Sequence, residues 1–153
     1  DVDSINTDEL LKNVTMVSQT TYLFDETIED NLRIAKPDAT QEEIEAACRM
    51  ASVHEFILSL PDSYKTRVGA LGDNLSAGEK QRIGLARAFL RGSEWILLDE
   101  PTSNVDSINE GIILKALQEQ KRKKSILLVS HRESTMAIAD RIYRVKDGRM
   151  AEI

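Results

Sequence analysis

Two short runs of uninterrupted apolar residues constrain the fold of this chain most strongly. Trp95-Ile96-Leu97-Leu98 and Ile126-Leu127-Leu128-Val129 do not alternate with polar residues, which is typical of strands covered on both faces inside a parallel sheet. Three further runs predict strands at Val14–Ser18, Ile142–Lys146 and Arg149–Ile153. We therefore expect an α/β fold built on a mostly parallel sheet.

Between the strands, the spacing of apolar residues is helical. From Thr27 to about Leu60 no strand-like run interrupts it, which indicates a separate helical lobe. A Ser or Thr followed three residues later by Glu, the pattern of a helix-capping box, predicts three helix starts. The pairs are Thr40 with Glu43, Ser76 with Glu79, and Ser107 with Glu110. Asp147-Gly148 is a two-residue turn and predicts a C-terminal antiparallel hairpin. The first dozen residues indicate a strand remnant that runs into a short helix.

Composition excludes several classes of protein. A chain of 153 residues is long enough for one core, and no apolar run is long enough to cross a membrane, so we expect a soluble domain. Cys48 is the one cysteine, which rules out an internal disulfide and indicates helix packing. The formal net charge of −6 argues against nucleic-acid binding. The basic run 121–124 is either a solvated helix C-terminus, which we favour, or a phosphate-binding patch.

Candidate catalytic side chains follow the two apolar strands. Asp99 and Glu100 end the first run, and the carboxyl edge of a parallel sheet is where open α/β folds bind ligands. Alternation should point these carboxylates in different directions, one towards a magnesium ion and the other towards an attacking water; an exposed acidic turn is the alternative. His131 follows the second run, so it should converge on the same edge. His54 has no such context and is interpreted as packing.

A second candidate region is the helix start at Ser76-Ala77-Gly78-Glu79. The free N–H groups of a helix N-terminus attract phosphate, and the small residues Ala77 and Gly78 would leave room for close approach. An ordinary capped helix that buries Ile83 and Leu90 is the plain alternative. The two interpretations are compatible, because a helix can pack by one face and bind an anion at its tip.

Taken together and in this order, these segments resemble the nucleotide-binding domain of ATP-binding cassette (ABC) transporters over the whole chain. The matching elements are Gln19 (Q-loop), Ser76–Glu79 (signature motif), Asp99 and Glu100 (Walker B aspartate and catalytic glutamate), Ser103–Asp106 (D-loop) and His131 (switch histidine). The resemblance implies an incomplete P-loop NTPase (RecA-like) fold. Residues 1–19 and 93–153 would form part of the RecA-like core, and residues 20–92 the helical subdomain with the signature motif.

The resemblance also implies roles for these residues. Glu100, His131 and Gln19 would be catalytic, and Asp99 and Gln19 would serve Mg²⁺. The signature residues Ser76, Ala77, Gly78 and Glu79, with Asp106, would bind ATP in a head-to-tail dimer with a second nucleotide-binding domain. Catalysis of this kind is mostly positioning and charge stabilisation around an in-line water attack. The implied enzyme is an ATPase at the cytoplasmic face of the membrane, joined to a transmembrane domain.

The chain departs from the family in one major way. No glycine is followed by lysine, so the phosphate-binding pattern G-x-x-x-x-G-K-[ST] is missing. We interpret this as truncation, which would leave the isolated chain inactive and leave an empty strand position between the strand ending at His131 and the one beginning near Ile142. Smaller departures are Ala77 for glycine, Glu79 for glutamine and Ala70 for glutamate.

Three functions are consistent with these motifs. An exporter ATPase is favoured because residues 23–32 resemble the exporter version of the region after the Q-loop glutamine. A DNA-repair ATPase of the same superfamily would need a long coiled coil, for which Gln19 to Ser76 leaves no room. A non-enzymatic interaction fragment is the third possibility.

Overall fold

The computed structural model describes residues 4–153, and within them a parallel sheet of three strands lies at the centre. The strands are β1 (Val14–Val17), β2 (Trp95–Asp99) and β3 (Ser125–Val129), in the order β1-β2-β3. Leu97 of the central strand pairs with Met16 of β1 and Leu127 of β3. The predicted α/β fold and its parallel strands are confirmed.

Seven α-helices connect and cover the strands between residues 4 and 153. They are α1 (Thr7–Asn13), α2 (Ile28–Arg33), α3 (Gln41–Met50), α4 (His54–Ser59), α5 (Ala77–Arg91), α6 (Ser107–Gln120) and α7 (Glu133–Met136), with single 3-10 turns at Ser63–Lys65 and Ala70–Gly72. The predicted helix near the N-terminus is α1; any strand remnant over residues 1–3 lies outside the described residues. No helix within residues 4–153 is both long enough and apolar enough to cross a membrane.

The predicted helical region is present as α2, α3 and α4, which bury apolar side chains together with α5. Ile28, Leu32, Ile44, Ile57 and Ile83 are each fully buried in one core cluster. Full burial of such a side chain stabilises the fold by about 1.5–3 kcal/mol relative to exposure. This shared core fixes the position of α5 and therefore of the signature residues at its start.

Cys48 and His54 lie in the interior of this helical region, as predicted. Cys48 is fully buried, and burial raises the pKa of its thiol to about 11. The His54 Nδ1 and the Tyr64 hydroxyl lie 2.8 Å apart in the interior. A buried histidine ring that has a hydrogen-bond partner is an ordinary structural part of a protein core.

Two of the three predicted capping boxes are confirmed, those of Thr40 and Ser76. The third is wrong. Asp106 caps α6, because its carboxylate accepts hydrogen bonds from the N–H groups of Ile108 and Asn109, both at 3.0 Å. Aspartate is as good an N-cap as serine, so the helix begins one residue earlier than the serine pattern predicts. The carboxylate of Glu110 is left for other contacts.

Within residues 4–153 the sheet is covered on one face only, so the prediction of two covered faces is wrong for this part of the chain. Ile96 and Leu98 of β2 are buried against residues of α5 and α6 in the common core. On the opposite face Trp95, Leu127 and Val129 are 50%, 54% and 55% exposed. No element within residues 4–153 packs over them. The apolar runs of β2 and β3 are thus uninterrupted in sequence, although their side chains alternate between a covered face and an exposed face.

The C-terminal hairpin is confirmed as β4 (Tyr143–Lys146) and β5 (Arg149–Glu152), which pair antiparallel. Asp147 and Gly148 both have positive φ, 50° and 71°, as the favoured two-residue hairpin turn requires. The hairpin and the parallel strands form separate sheets in the described part of the chain. The position beside β3 is therefore not filled by β4.

The basic run after α6 has structural partners. Lys121 bonds to Asp140 at 2.7 Å and to the Ile138 carbonyl at 3.2 Å. Lys124 donates to the Ser93 carbonyl at 2.8 Å. These contacts support the interpretation of this run as a helix C-terminus instead of a phosphate-binding patch.

Candidate functional site

The carboxyl ends of the three parallel strands bring most of the predicted catalytic side chains to one edge. Val17 of β1 pairs with Leu98 of β2, and Asp99 pairs with Val129 of β3. Gln19 therefore follows β1 at the same edge where Asp99 ends β2 and where His131 follows β3. The structure places these residues at a single edge of the sheet, as the sequence predicts.

Glu100 leaves the strand instead of continuing its alternation. Its φ is +47°, a left-handed conformation that is uncommon for a side chain of this size and is concentrated at functional sites. Its N–H donates to the Val129 carbonyl at 2.9 Å, and its own carbonyl accepts from the Ser103 hydroxyl at 2.9 Å. Glu100 is thus held between the end of β3 and the loop that follows β2.

The Glu100 carboxylate contacts the predicted switch histidine. Its Oε1 lies 2.7 Å from the His131 Nδ1. Its Oε2 is buried and has no hydrogen-bond partner within the described residues. A buried carboxylate oxygen without a hydrogen bond costs free energy. We therefore expect this atom to accept a hydrogen bond from a water molecule or another donor.

At the start of α5, the side chains of Ser76 and Glu79 are used for capping. The Glu79 N–H donates to the Ser76 hydroxyl at 3.3 Å, and the Ser76 N–H donates to a Glu79 carboxylate oxygen at 2.8 Å. Ala77 is exposed and lines a pocket of about 250 Å³ together with Gln19 and Asn104. The pocket brings Q-loop, signature and D-loop residues together.

The space beside Gly78 is occupied by Asn109 of α6. A Cβ atom on Gly78 would lie 2.3 Å from the side-chain carbon Cγ of Asn109. Asn109 in turn donates from its side-chain amide to Asp106 at 2.6 Å. Hydrogen bonds from Asn109 lower the pKa of Asp106. The room expected for a ligand at Gly78 is therefore taken by Asn109, and Ala77 is left as the open small residue.

A cluster of polar side chains around Glu110 holds the loop that carries His131. The Arg132 guanidinium lies 2.6 Å from one Glu110 oxygen and the Ser134 hydroxyl 2.5 Å from the other. The Ser130 and Thr135 hydroxyls are 3.0 Å apart. Sequence reasoning missed this cluster because it assigned Glu110 to a cap.

Arg87 of α5 holds the segment after the Q-loop glutamine. It donates to the Tyr22 carbonyl at 2.6 Å, to the Asn31 carbonyl at 2.7 Å and to the Asn31 side-chain oxygen at 2.6 Å. Burial lowers the pKa of Arg87 to about 10. The signal in the sequence was an arginine between the apolar residues Ala86 and Ala88 of α5.

Beside this segment lies an open groove of about 520 Å³ with an apolar floor and an acidic rim. Phe24 and Ile34 line it and are 50% and 52% exposed. Asp25, Glu26 and Asp30 surround them. Exposed apolar side chains inside an acidic rim are characteristic of a surface that contacts another protein segment.

Comparison with known proteins decides the family. The family model for ABC transporters matches residues 1–103. The chain belongs to the ABC transporter family. A "Probable ABC transporter ATP-binding/permease protein" of Haemophilus influenzae is 57% identical over 148 residues, which cover 97% of this chain and 27% of that protein. "Multidrug resistance protein pgp-1" of Caenorhabditis elegans is 44% identical over 153 residues, 100% of this chain and 12% of that protein.

Among solved structures, a bacterial Atm1-family ABC exporter with ATP bound is 34% identical, with a TM-score of 0.89 over 99% of this chain and 27% of that one. The fold is therefore that of the nucleotide-binding part of an ABC exporter. The chain spans about a quarter or less of the length of these relatives.

Proposed function

We propose that this chain is part of the ATP-binding and ATP-hydrolysing domain of an ABC exporter, which couples hydrolysis to transport across a membrane. The observation that carries the proposal is the Glu100–His131 pair at the carboxyl edge of the sheet, with one buried Glu100 oxygen that has no hydrogen-bond partner among residues 4–153. The names of the relatives, among them "ATP-binding/permease protein", support the same function.

In the proposed mechanism, Glu100 acts on the attacking water. Its free Oε2 accepts a hydrogen bond from that water and orients it, while His131 holds the other carboxylate oxygen and lies near the terminal phosphate. A carboxylate in such a position also accepts the proton that the water loses. Positioning of this kind accounts for most of the rate gain in phosphoryl transfer.

Asp99 and Gln19 would hold Mg²⁺. Both supply oxygen ligands of the kind that this ion prefers, and both lie at the same edge as Glu100. No three carboxylate, histidine or cysteine side chains converge as a metal site within residues 4–153, which fits an ion that takes few protein ligands and completes its shell with phosphate and water. When bound, Mg²⁺ would neutralise charge on the phosphates.

The signature residues would complete the site of a second nucleotide-binding domain. The Glu79 N–H is used by the Ser76 cap, so the other N–H groups at the start of α5, a helix of 15 residues, would bind phosphate. Ala77 is exposed there, and Asp106 of the D-loop is linked to the neighbouring Gly78 through Asn109. In a head-to-tail dimer these groups would bind ATP held by the partner domain.

The groove around Phe24 and Ile34 would receive the transmembrane domain at the cytoplasmic face of the membrane. Its apolar floor would pack against an apolar side chain, and its acidic rim would pair with basic residues of the partner. Arg87 fixes this segment to α5, so the contact would be transmitted to the signature residues. We accordingly propose residues 20–92 as the helical subdomain and residues 1–19 and 93–153 as part of the RecA-like core.

The experiment that tests this function is the ATPase and transport activity of the full-length protein. Purified and reconstituted in vesicles, it should hydrolyse ATP only with Mg²⁺ and move a substrate in an ATP-dependent way. Absence of Mg²⁺-dependent turnover would contradict the proposal.

The 153-residue chain has no G-K-[ST] phosphate loop. It should bind ATP at least a thousandfold more weakly than the full-length protein, because several charge-assisted contacts of about 1.5–3 kcal/mol each are missing. Micromolar binding of ATP by this chain in calorimetry would contradict the prediction.

A further inference from the structure

We propose that Glu110 is a positioning residue for His131 in the ATP hydrolysis proposed above. Its two carboxylate oxygens bind two side chains that follow His131: Oε2 the Arg132 guanidinium at 2.6 Å and Oε1 the hydroxyl of Ser134, in α7, at 2.5 Å. The Glu110 side chain is 13% exposed and that of Arg132 31%. An ion pair sheltered to this extent is screened less than a surface pair.

The geometry explains why His131 needs such support. Its side chain is 77% exposed, and its one polar contact with the described residues is the 2.7 Å approach to Glu100. Packing therefore does not fix the ring. Its position depends on the backbone of residues 130–134, which begins at the end of β3 and is tied to α6 through Glu110.

Two further contacts make the loop a short closed unit. The Arg132 N–H donates to the Ser130 hydroxyl at 3.1 Å, and that hydroxyl lies 3.0 Å from the Thr135 hydroxyl. These bonds hold residues 130–135 together, and Glu110 joins this unit to α6, in addition to the contact of His131 with Glu100. Without Glu110 the unit would keep its internal bonds and lose its position relative to Glu100.

The chemistry of the contact requires a carboxylate. Two oxygens accept from two donors at once, and the negative charge pairs with the guanidinium. Glutamine has the same shape but one oxygen, and its NH₂ group would face a donor. Glu110→Gln is therefore a nearly isosteric change that removes the ion pair and one of the two hydrogen bonds without removing volume.

The test is steady-state ATP hydrolysis by the full-length protein. Glu110→Gln should lower kcat at least tenfold and change KM for ATP by less than twofold, because misplacement of a catalytic group affects the chemical step. Arg132→Gln should have a similar effect, and the double variant should be no worse than the more severe single variant. Glu119→Gln is the matched control, since Glu119 lies exposed on the same helix; it should leave kcat and KM unchanged.

A second readout does not depend on ATP hydrolysis. The chain has two histidines, so ¹⁵N NMR of the 153-residue chain, at a concentration where sedimentation shows a monomer, reports on the rings of His131 and His54 separately. Glu110→Gln should shift the His131 signals in the same direction as Glu100→Gln, while the buried His54 signals stay in place and show that the fold is intact.

Unchanged His131 signals, or a kcat above half of the unsubstituted value, would overturn the role of Glu110. If the full-length protein hydrolyses no ATP, the proposed function fails, and the NMR comparison alone decides whether Glu110 positions His131.

Discussion

Glu100 combines a left-handed backbone with a carboxylate that has one oxygen on His131 and the other without a partner in the described part of the chain. In the full-length protein, Glu100→Gln should lower ATP turnover by a factor of about 10² or more while nucleotide binding persists, because the amide keeps the shape but cannot accept a proton from water. Turnover and ATP affinity measured side by side test this. Retention of more than a tenth of the turnover would move the catalytic role to another residue.

Glu29 is a buried carboxylate with two cationic partners. Its oxygens lie 2.8 Å from the Lys65 Nζ and 2.9 Å from an Arg33 nitrogen. The hydrogen bond from Lys65, and then that from Arg33, lower the pKa of Glu29 below its ordinary 4.5 despite burial. A carboxylate with a lowered folded pKa stabilises the fold above about pH 5, and this contribution is lost as the pH falls through the folded pKa.

The corresponding prediction is that Glu29→Gln lowers the free energy of unfolding at pH 7 by about 1.5–3 kcal/mol, the range for hydrogen bonds to charged groups. The loss should shrink as the pH falls from 5 to 3. Urea unfolding of the 153-residue chain at several pH values measures it, with the exposed Glu55→Gln as control. A difference that is constant over this pH range would show that the ion pairs do not stabilise the fold.

At the scale of elements, α5 and α6 approach each other through Gly78. Gly78→Ala would place a methyl group 2.3 Å from the Asn109 Cγ, so we expect a loss of about 1–3 kcal/mol, typical of overpacking. Gly111→Ala is the matched control on α6, because nothing lies within 4 Å of a Cβ there. It should stabilise the chain by about 0.5–1 kcal/mol through helix propensity. Thermal unfolding of both variants tests the contrast; equal shifts would contradict the contact.

Sequence reasoning succeeded for elements whose signals are local. The parallel strands, the hairpin turn and the caps at Thr40 and Ser76 depend on residues close to each other in the chain. It failed where contacts between residues far apart in the sequence determine the structure. The cap at Asp106 frees Glu110 for Arg132, 22 residues away, and Arg87 binds Asn31, 56 residues away.

Some features of the candidate site could likewise be predicted from the sequence, and others could not. The edge that carries Asp99, Glu100 and His131 was predicted, because carboxyl ends of parallel strands meet at one edge. The left-handed Glu100 was not, because alternation predicts a continued strand. Occupation of the space at Gly78 by Asn109 depends on how two helices pack, which no local pattern encodes.

For the whole molecule, the open apolar face of the sheet matters most. Leu127 and Val129 are exposed on β3, a strand that lacks a neighbour on one side within residues 4–153. An exposed apolar face beside an unpaired edge promotes association. We expect the 153-residue chain to self-associate at about 100 μM, a range where such surfaces aggregate.

Leu127→Lys should reduce this association, and Leu58→Lys, at an exposed leucine of α4, should not. Sedimentation velocity measures both. An unsubstituted chain that remains monomeric would show that the face is too small or too well hydrated to associate.

Because Cys48 is buried, the rate at which a reagent modifies its thiol reports how often the surrounding structure opens. Cys48 is the one thiol of the sequence and is fully buried in α3, and a thiol with a pKa of about 11 is almost entirely protonated at neutral pH. A disulfide reagent can therefore modify it only during excursions in which the helical region opens. The labelling rate at low denaturant, followed by mass spectrometry, should rise in Glu29→Gln and stay constant in Leu127→Lys. This separates the stability of the region around α3 from that of the sheet without an introduced cysteine.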